Sequence, residues 1–295
     1  MTVINTNTAA TLTANALTKN ERAMSQTMER LSTGSRINSA SDDAAGLAIS
    51  SKMTSQINGL NMAVRNGNDA ISMIQTAEGA LVEITDMLQR MRELTVQASS
   101  DTNTTADRTA LDTEFDALRT EIERVVDNTQ FNGTDLLNGQ GATAFQIGAN
   151  AGQTISYTFQ DFNYADSTVP TATPLGALDT TGDGTDNNVG LNNAAFDLGD
   201  TDAKRVTTLH GLTDALANIA TQRAGMGAAI NRIEYAIDNL ANVSQNASAS
   251  RSRILDADYA AETTELARTQ IIQQAGTAML SQANQQAQSV LALLK

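Results

Sequence analysis

Apolar residues recur with helical spacing at both ends of the chain and lose that spacing in the middle. Val3, Ala10, Leu17, Met24 and Leu31 return every seventh residue, with Met28 on the same face. Thr, Asn and Ala interrupt this narrow stripe, so it predicts a helix that packs along one thin seam. Gly34 then stops the helix, since glycine readily takes the left-handed conformation that closes one. Ser41-Asp42-Asp43 is expected to open the next helix, with Asp42 capping free amides and both acids at the positive end of the helix dipole. Met53, Ile57, Leu60, Val64, Ile71, Ile74, Leu81 and Leu88 follow in steps of three, four and seven, and no proline intervenes before Ser99. One helix of roughly 55 residues, about 80 Å long, is predicted. Such a length is usual in coiled coils and rare in globules. Leu111, Phe115, Leu118, Ile122 and Val125 repeat the pattern in a shorter helix that fades at Asp127-Asn128.

The period then switches to two. Phe145-Gln146-Ile147, a Gly-Ala-Asn-Ala-Gly turn at 148–152, and Ile155, Tyr157 and Phe159 alternating with polar residues predict a β-hairpin. Residues 163–203, rich in Thr, Asp, Asn and Gly, read as a surface insertion. Heptad spacing returns with Leu212, Leu216, Ile219, Met226, Ile230, Ile233, Ile237 and Leu240. After Ser250 a last helix is expected near Asp256, carrying Leu255, Tyr259, Leu266, Ile272, Met279 and Leu293. None of these helices is stable alone, because each exposes an apolar stripe to water. The simplest arrangement is a nested out-and-back path, in which the helix after Asp42 pairs with the Leu212–Leu240 helix and the two chain ends lie side by side. The expected fold is mainly α: long antiparallel helices in coiled-coil or bundle domains, with a β-hairpin and a small irregular or β-rich insertion. The expected domains are 1–42 with 254–295 as a terminal coiled coil, 43–162 with 204–253 as a long-helix bundle carrying the hairpin, and 163–203 as the insertion.

Composition agrees with close side-by-side helices and not with a wide core. Aromatic residues make up 3% of the 295, Trp is absent, and Pro170 and Pro174 are the two prolines. A net charge of -14 argues against nucleic acid, whose phosphates need clustered Lys and Arg. With no cysteine, disulfide and thiolate chemistry are excluded. The opening Met1-Thr2-Val3-Ile4-Asn5 has neither a basic nor an apolar region, so if the protein leaves the cell it is expected to do so without a cleavable signal, and no run is apolar enough to predict a membrane span. No cofactor or metal site is expected. His210, the single histidine, has no second His or Cys to share a metal and rules out a His-Glu-x-x-His motif. Thr181-Gly182-Asp183-Gly184-Thr185-Asp186 lacks the spacing and distal Glu of a calcium loop and reads as a turn. A nucleophilic triad also lacks its parts, so the chain reads as a non-enzyme.

Glu29-Arg30-Leu31-Ser32-Thr33-Gly34-Ser35-Arg36-Ile37-Asn38-Ser39-Ala40-Ser41-Asp42-Asp43-Ala44-Ala45-Gly46-Leu47-Ala48-Ile49 resembles the N-terminal signature of bacterial flagellin. Asn68-Asp69-Ala70-Ile71-Ser72 through Glu78-Gly79-Ala80-Leu81, Thr129-Gln130-Phe131-Asn132-Gly133, and Ile271 through Gln285 agree with it. The resemblance covers roughly 1–160 and 205–295. It implies a filament subunit whose ends form an inner tube, whose long helices form an outer tube, and whose insertion faces the medium. The implied partners are further copies of the chain, an export chaperone on the C-terminal segment, and the filament cap and junction proteins. One departure is Gln286-Ala287-Gln288, where flagellins often carry a proline; a straighter last helix is expected.

From Thr269 to Leu294 no residue is charged, while Gln, Asn, Ser and Thr recur. Such a helix suits burial in an assembly, where amides find partners and unpaired charge is costly. Leu17, Met24, Met28 and Leu31 with Leu255, Tyr259, Leu266, Ile272, Met279 and Leu293 are the expected assembly residues. Ordering a residue costs about 1–2 kcal/mol, more than two such sparse stripes offset alone, so the ends are expected to order on assembly. Leu88-Gln89-Arg90-Met91-Arg92-Glu93-Leu94 reads by itself as a solvated helix face. It also resembles the patch read by the vertebrate Toll-like receptor for flagellin, which implies Gln89, Arg90, Glu93 and Leu94, with Glu114 on the neighbouring helix, as receptor contacts. Two alternatives stand beside the filament subunit: a hook–filament junction protein, which shares the helical ends, and an adhesin or enzyme housed in the insertion.

Overall fold

The computed structural model describes residues 7–162, 198 and 202–292. Val3, Leu293 and the 163–203 insertion with its Thr181–Asp186 turn lie outside the described residues, except for Leu198 and the start of the helix at 202. The order is α1 (Thr8–Thr33), α2 (Ala44–Ala98), α3 (Thr105–Asn128), β1 (Gln130–Phe131), β2 (Thr134–Asp135), β3 (Gly141–Gln146), β4 (Thr154–Phe159), α4 (Asp202–Leu255) and α5 (Tyr259–Ala292). The chain is mainly α, as its periodicity predicts. It divides into two compact units, Met1–Ile57 with Ser244–Lys295 and Asn58–Val243, cut within α2 and α4 and not at the helix breaks.

In the terminal unit, α1 and α5 pair antiparallel. Partners on α5 fall from Ala283 to Gln273, Thr269 and Glu262 as those on α1 rise from Asn7 to Asn20 and Arg30. Asn7 caps α1 by accepting from the Ala10 amide at 3.0 Å, and its Nδ2 donates to the Ala283 carbonyl at 3.2 Å. Gly34 ends α1 as expected, at φ 70°, with its amide donating to the Arg30 carbonyl at 2.9 Å. The chain then makes a stitched joint: Arg36 N donates to the Leu255 carbonyl at 2.6 Å and Ala257 N to the Gly34 carbonyl at 2.9 Å.

The capping expectation at this joint is corrected by one residue. Asp43 caps α2, accepting from the Gly46 amide at 2.9 Å. Asp42 holds the preceding turn instead, accepting from the Asn38 and Ser39 amides at 3.1 and 2.9 Å and from Gln26 Nε2 at 3.0 Å. The break after α4 is also short. Asp256 accepts from the Ser252 hydroxyl, and Asp258 caps α5 through the Ala260 amide at 3.0 Å. Helix α5 continues through Gln286-Ala287-Gln288 to Ala292, in line with the missing proline.

The second unit holds the core. Ile74, Leu81, Ile84, Leu88, Met91 and Leu94 of α2 are buried with Phe115 and Ile122 of α3 and with Leu212, Ile219, Met226 and Ile233 of α4. Every residue of the predicted α2 and α4 stripes that lies in this unit is buried or half-buried. The helices approach closely at Gly67, where an added Cβ would lie 2.8 Å from Ile237 Cγ1. Helix α3 starts with a capping box: Asp107 accepts from the Thr104 amide at 2.9 Å while its own amide donates to the Thr104 hydroxyl at 3.3 Å. His210 lies inside α4 and is exposed, whereas the heptad spacing placed it just ahead of that helix.

The predicted hairpin is present, with Phe145 opposite Ile155 and Gln146 opposite Thr154. Along β4, Ile155, Tyr157 and Phe159 turn inward, and burial pushes the Tyr157 phenol above its ordinary pKa. A smaller hairpin, β1–β2, precedes it. Its two-residue turn, Asn132-Gly133 with φ of 51° and 79°, has the doubly positive geometry that suits tight hairpins. Phe162, just before the insertion, and Leu198, within it, are fully buried. The Leu198 amide donates to Asp112 Oδ1 at 3.1 Å, which ties this end of the segment to α3.

Candidate functional site

Within the terminal unit, the α1–α5 seam sets a few large apolar residues among small and polar ones. Leu17, Met24 and Leu31 of α1 are half-buried, as are Leu255 before the break and Leu266 of α5. Between them lie Asn20, Thr27, Thr269, Gln273 and Gly276. Asn20 Nδ2 donates to the Thr269 carbonyl at 2.8 Å and to Gln273 Oε1 at 3.2 Å. Thr27 and Thr269 bond back to carbonyls of their own helices, which satisfies their hydroxyls without cross-links. Leu17 seats on Gly276, where an added Cβ would come within 2.6 Å of Leu17 Cδ1. Arg30 and Glu262 close the seam with an ion pair at 3.1 Å.

Other apolar groups of these two helices stay exposed. Met28, Tyr259, Ile272 and Met279 are exposed, the last at 63%, together with Leu12 and Ile271, which the heptad pattern did not pick out. The ten expected assembly residues therefore split. Leu17, Met24, Leu31, Leu255 and Leu266 pack within the chain; Tyr259 is exposed on one side but its hydroxyl donates to the Leu31 carbonyl at 3.1 Å; Met28, Ile272 and Met279 face out; Leu293 lies outside the described residues. A seam residue and an outward residue on a sparse helix differ by a single step, which a seven-residue repeat does not resolve once Thr and Asn occupy seam positions. Ile271 beside Ile272 was the available signal for a second outward position.

In the second unit, Gln89, Arg90 and Glu93 are exposed on α2 and Glu114 on α3. Arg90 pairs with Glu114 at 2.9 Å and with Glu93 at 3.1 Å. Hydrogen bonds donated to Glu114, then to Glu93, hold the Arg90 guanidinium above its ordinary pKa, so it stays charged. Leu94 does not belong to this surface. It is 0% exposed in the helical core, because positions 88, 91, 94 and 98 form the inward face of α2. Beside the patch, an open groove of about 600 Å³ is lined by Gln89, Arg92, Glu93, Val96, Gln97 and Leu216. Among the described residues no cluster of three or more His, Asp or Glu has the geometry of a metal site, and no helix is long and apolar enough to cross a membrane.

Long antiparallel helices around a narrow core, with apolar side chains left outward on a polar-seamed terminal pair, define a structural protein of the assembling, coiled-coil class. Residues 4–142 match the bacterial flagellin N-terminal helical region, and residues 209–294 match the bacterial flagellin C-terminal helical region. A flagellin of Halalkalibacterium halodurans is 46% identical over 270 residues, 91% of this chain and 90% of that protein. A flagellin of Bacillus subtilis is 42% identical over 313 residues, 99% of each. Among solved structures, a hook-associated flagellar protein of Vibrio parahaemolyticus aligns with a TM-score of 0.57 over 73% of this chain at 13% identity, a likeness of fold alone. The chain belongs to the bacterial flagellin family. It is a subunit of the flagellar filament, and the family is one of structural proteins whose filament lies outside the cell.

Proposed function

We propose that the chain polymerises through its terminal helices, and that residues 1–42 and 254–295 gain their full order in that step. One observation carries the reading: α1 and α5 bury a seam of a few large apolar residues among small and polar ones while Leu12, Met28, Ile271 and Met279 remain in water. Two helices have no further surface on which to bury these groups. Copies of the same chain do, and a C-terminal helix uncharged from Thr269 onward suits a packed interior where each amide finds a partner. Delaying this burial until copies meet keeps the monomer from assembling early. On this reading the chain is not an enzyme and is exported from the cell. A chaperone covers the C-terminal segment in transit, and cap and junction proteins meet the same helices at the filament ends. The 163–203 insertion faces the medium.

The Gln89, Arg90, Glu93 and Glu114 surface supports a second role, recognition of the monomer by the vertebrate Toll-like receptor for flagellin. Leu94 acts there only by supporting the helix from below.

Limited proteolysis of monomer and of precipitant-grown polymer, with electron microscopy of the polymer, tests the assembly reading. Long uniform filaments are expected, with cleavage before about residue 42 and after about residue 254 in the monomer and protection in the polymer. Resistant ends in the monomer without filaments would overturn it.

A further inference from the structure

The chain holds ten methionines, no cysteine and no tryptophan. Its thioethers are therefore the groups most readily oxidised, with no thiol to intercept an oxidant first. The fold sorts them sharply. Met91, Met226 and Met73 are 0%, 1% and 8% exposed in the helical core, whereas Met279, Met28 and Met62 are 63%, 55% and 49% exposed. Two of these three lie on the terminal helices, Met28 on α1 and Met279 on α5.

We propose that Met28 and Met279 are oxygen-acceptor sites for peroxide-class oxidants, and that their sulfoxides block polymerisation of the monomer. In the step, a sulfur lone pair attacks one peroxide oxygen, the O–O bond breaks, and the S–O bond forms. The thioether loses two electrons to the peroxide, whose other oxygen departs as hydroxide and takes the proton carried by the transferred oxygen to leave as water, so the protein gives up no proton. The product replaces a soft apolar group with a strongly polar oxygen at the positions that assembly is to cover. Burying that oxygen costs free energy unless a donor is placed to meet it, and a contact that closes around a thioether needs no donor there. The inference rests on the assembly reading, because a sulfoxide left in water has no such cost. It follows that the same two sulfurs are vulnerable in the monomer and shielded in the polymer.

The full-length monomer is treated with millimolar hydrogen peroxide, digested, and mapped by mass spectrometry, and its polymerisation is followed by light scattering. Met28 and Met279 are expected to gain oxygen before Met91 and Met226, and the oxidised monomer to elongate slower by about tenfold or more. The M28L/M279L variant keeps volume and helix propensity; it should polymerise equally with and without peroxide, while M62L stays sensitive. Methionine sulfoxide reductases with a thiol reductant should restore the oxidised wild type. Equal oxidation of exposed and core methionines, or full oxidation at both sites with unchanged elongation, overturns the proposal. Failure of the untreated protein to polymerise overturns the assembly reading beneath it, a result seen before any peroxide is added.

Discussion

Truncating Leu94 to alanine separates the core from the exposed patch beside it. Leu94 is 0% exposed and packs in the cluster that joins α2 to α3 and α4. Removing its isobutyl group costs the transfer free energy of the lost carbons plus a cavity, about 2–5 kcal/mol for a leucine in a well-packed core. At a middle value of about 3 kcal/mol, a unit of this size loses roughly 6–12 °C in Tm. Arg90→Ala removes a guanidinium that meets Glu93 and Glu114 at the surface, and its melting curve should overlay the wild type because exposed pairs add little. Circular dichroism melts of the full-length monomers read these values directly. Receptor reporter cells, dosed well below the lowered Tm, should then respond to Leu94→Ala as to wild type and lose the response to Arg90→Ala. A Leu94→Ala protein that melts with the wild type yet loses signalling would place Leu94 in the contact surface and refute the reasoning.

Three further predictions concern the helices and the joint between them. Gly79 sits mid-helix with nothing within 4 Å of an added Cβ, whereas one at Gly67 would meet Ile237 Cγ1 at 2.8 Å. Gly79→Ala should therefore stabilise by about 0.5–1 kcal/mol, while Gly67→Ala falls short of that gain until paired with Ile237→Ala, as urea midpoints will show. The Asn38 and Ser39 amides hold the Asp42 carboxyl below its usual pKa, with the Ser39 amide the larger cause. A depressed carboxylate contributes stability that is present above its unfolded pKa and lost as pH falls through the lower folded value. Asp42→Ala should thus be less stable than wild type above about pH 5, with the difference closing below about pH 4; a gap that persists in acid would refute this. Asn20→Leu should strengthen the α1–α5 seam but release its register, because the paired amide of Asn20 and Gln273 is satisfied in one alignment only. The yield of the disulfide between Cys variants of Leu17 and Gly276 should then fall.

Much of this protein is legible in one dimension. Heptad spacing located α2 and α4, because a residue's place on a long helix follows from its number alone. Gly34 marked the end of α1, and period-two alternation marked β3 and β4. The Asn132-Gly133 pair is equally readable as a hairpin turn, since its signal is local. Asp42 and Asp43 illustrate the limit of local reading. Both can cap, and only the bonds from Asn38, Ser39 and Gln26 assign Asp42 to the turn and leave Asp43 for the helix.

Only the tertiary structure decided which apolar side chains are spare. Leu94 and Glu93 are neighbours in the sequence, yet one lies in a three-helix core and the other in water, as the packing of α3 and α4 against α2 dictates. Met24 and Met28 are one turn apart, and the position of α5 makes the first a seam residue and the second an exposed one. The burial of Phe162, just before a polar segment, and of Leu198, within it, likewise depends on partners far away in the chain. Helical periodicity follows from local backbone geometry and is written in spacing; burial depends on what arrives from elsewhere, and spacing carries no record of that.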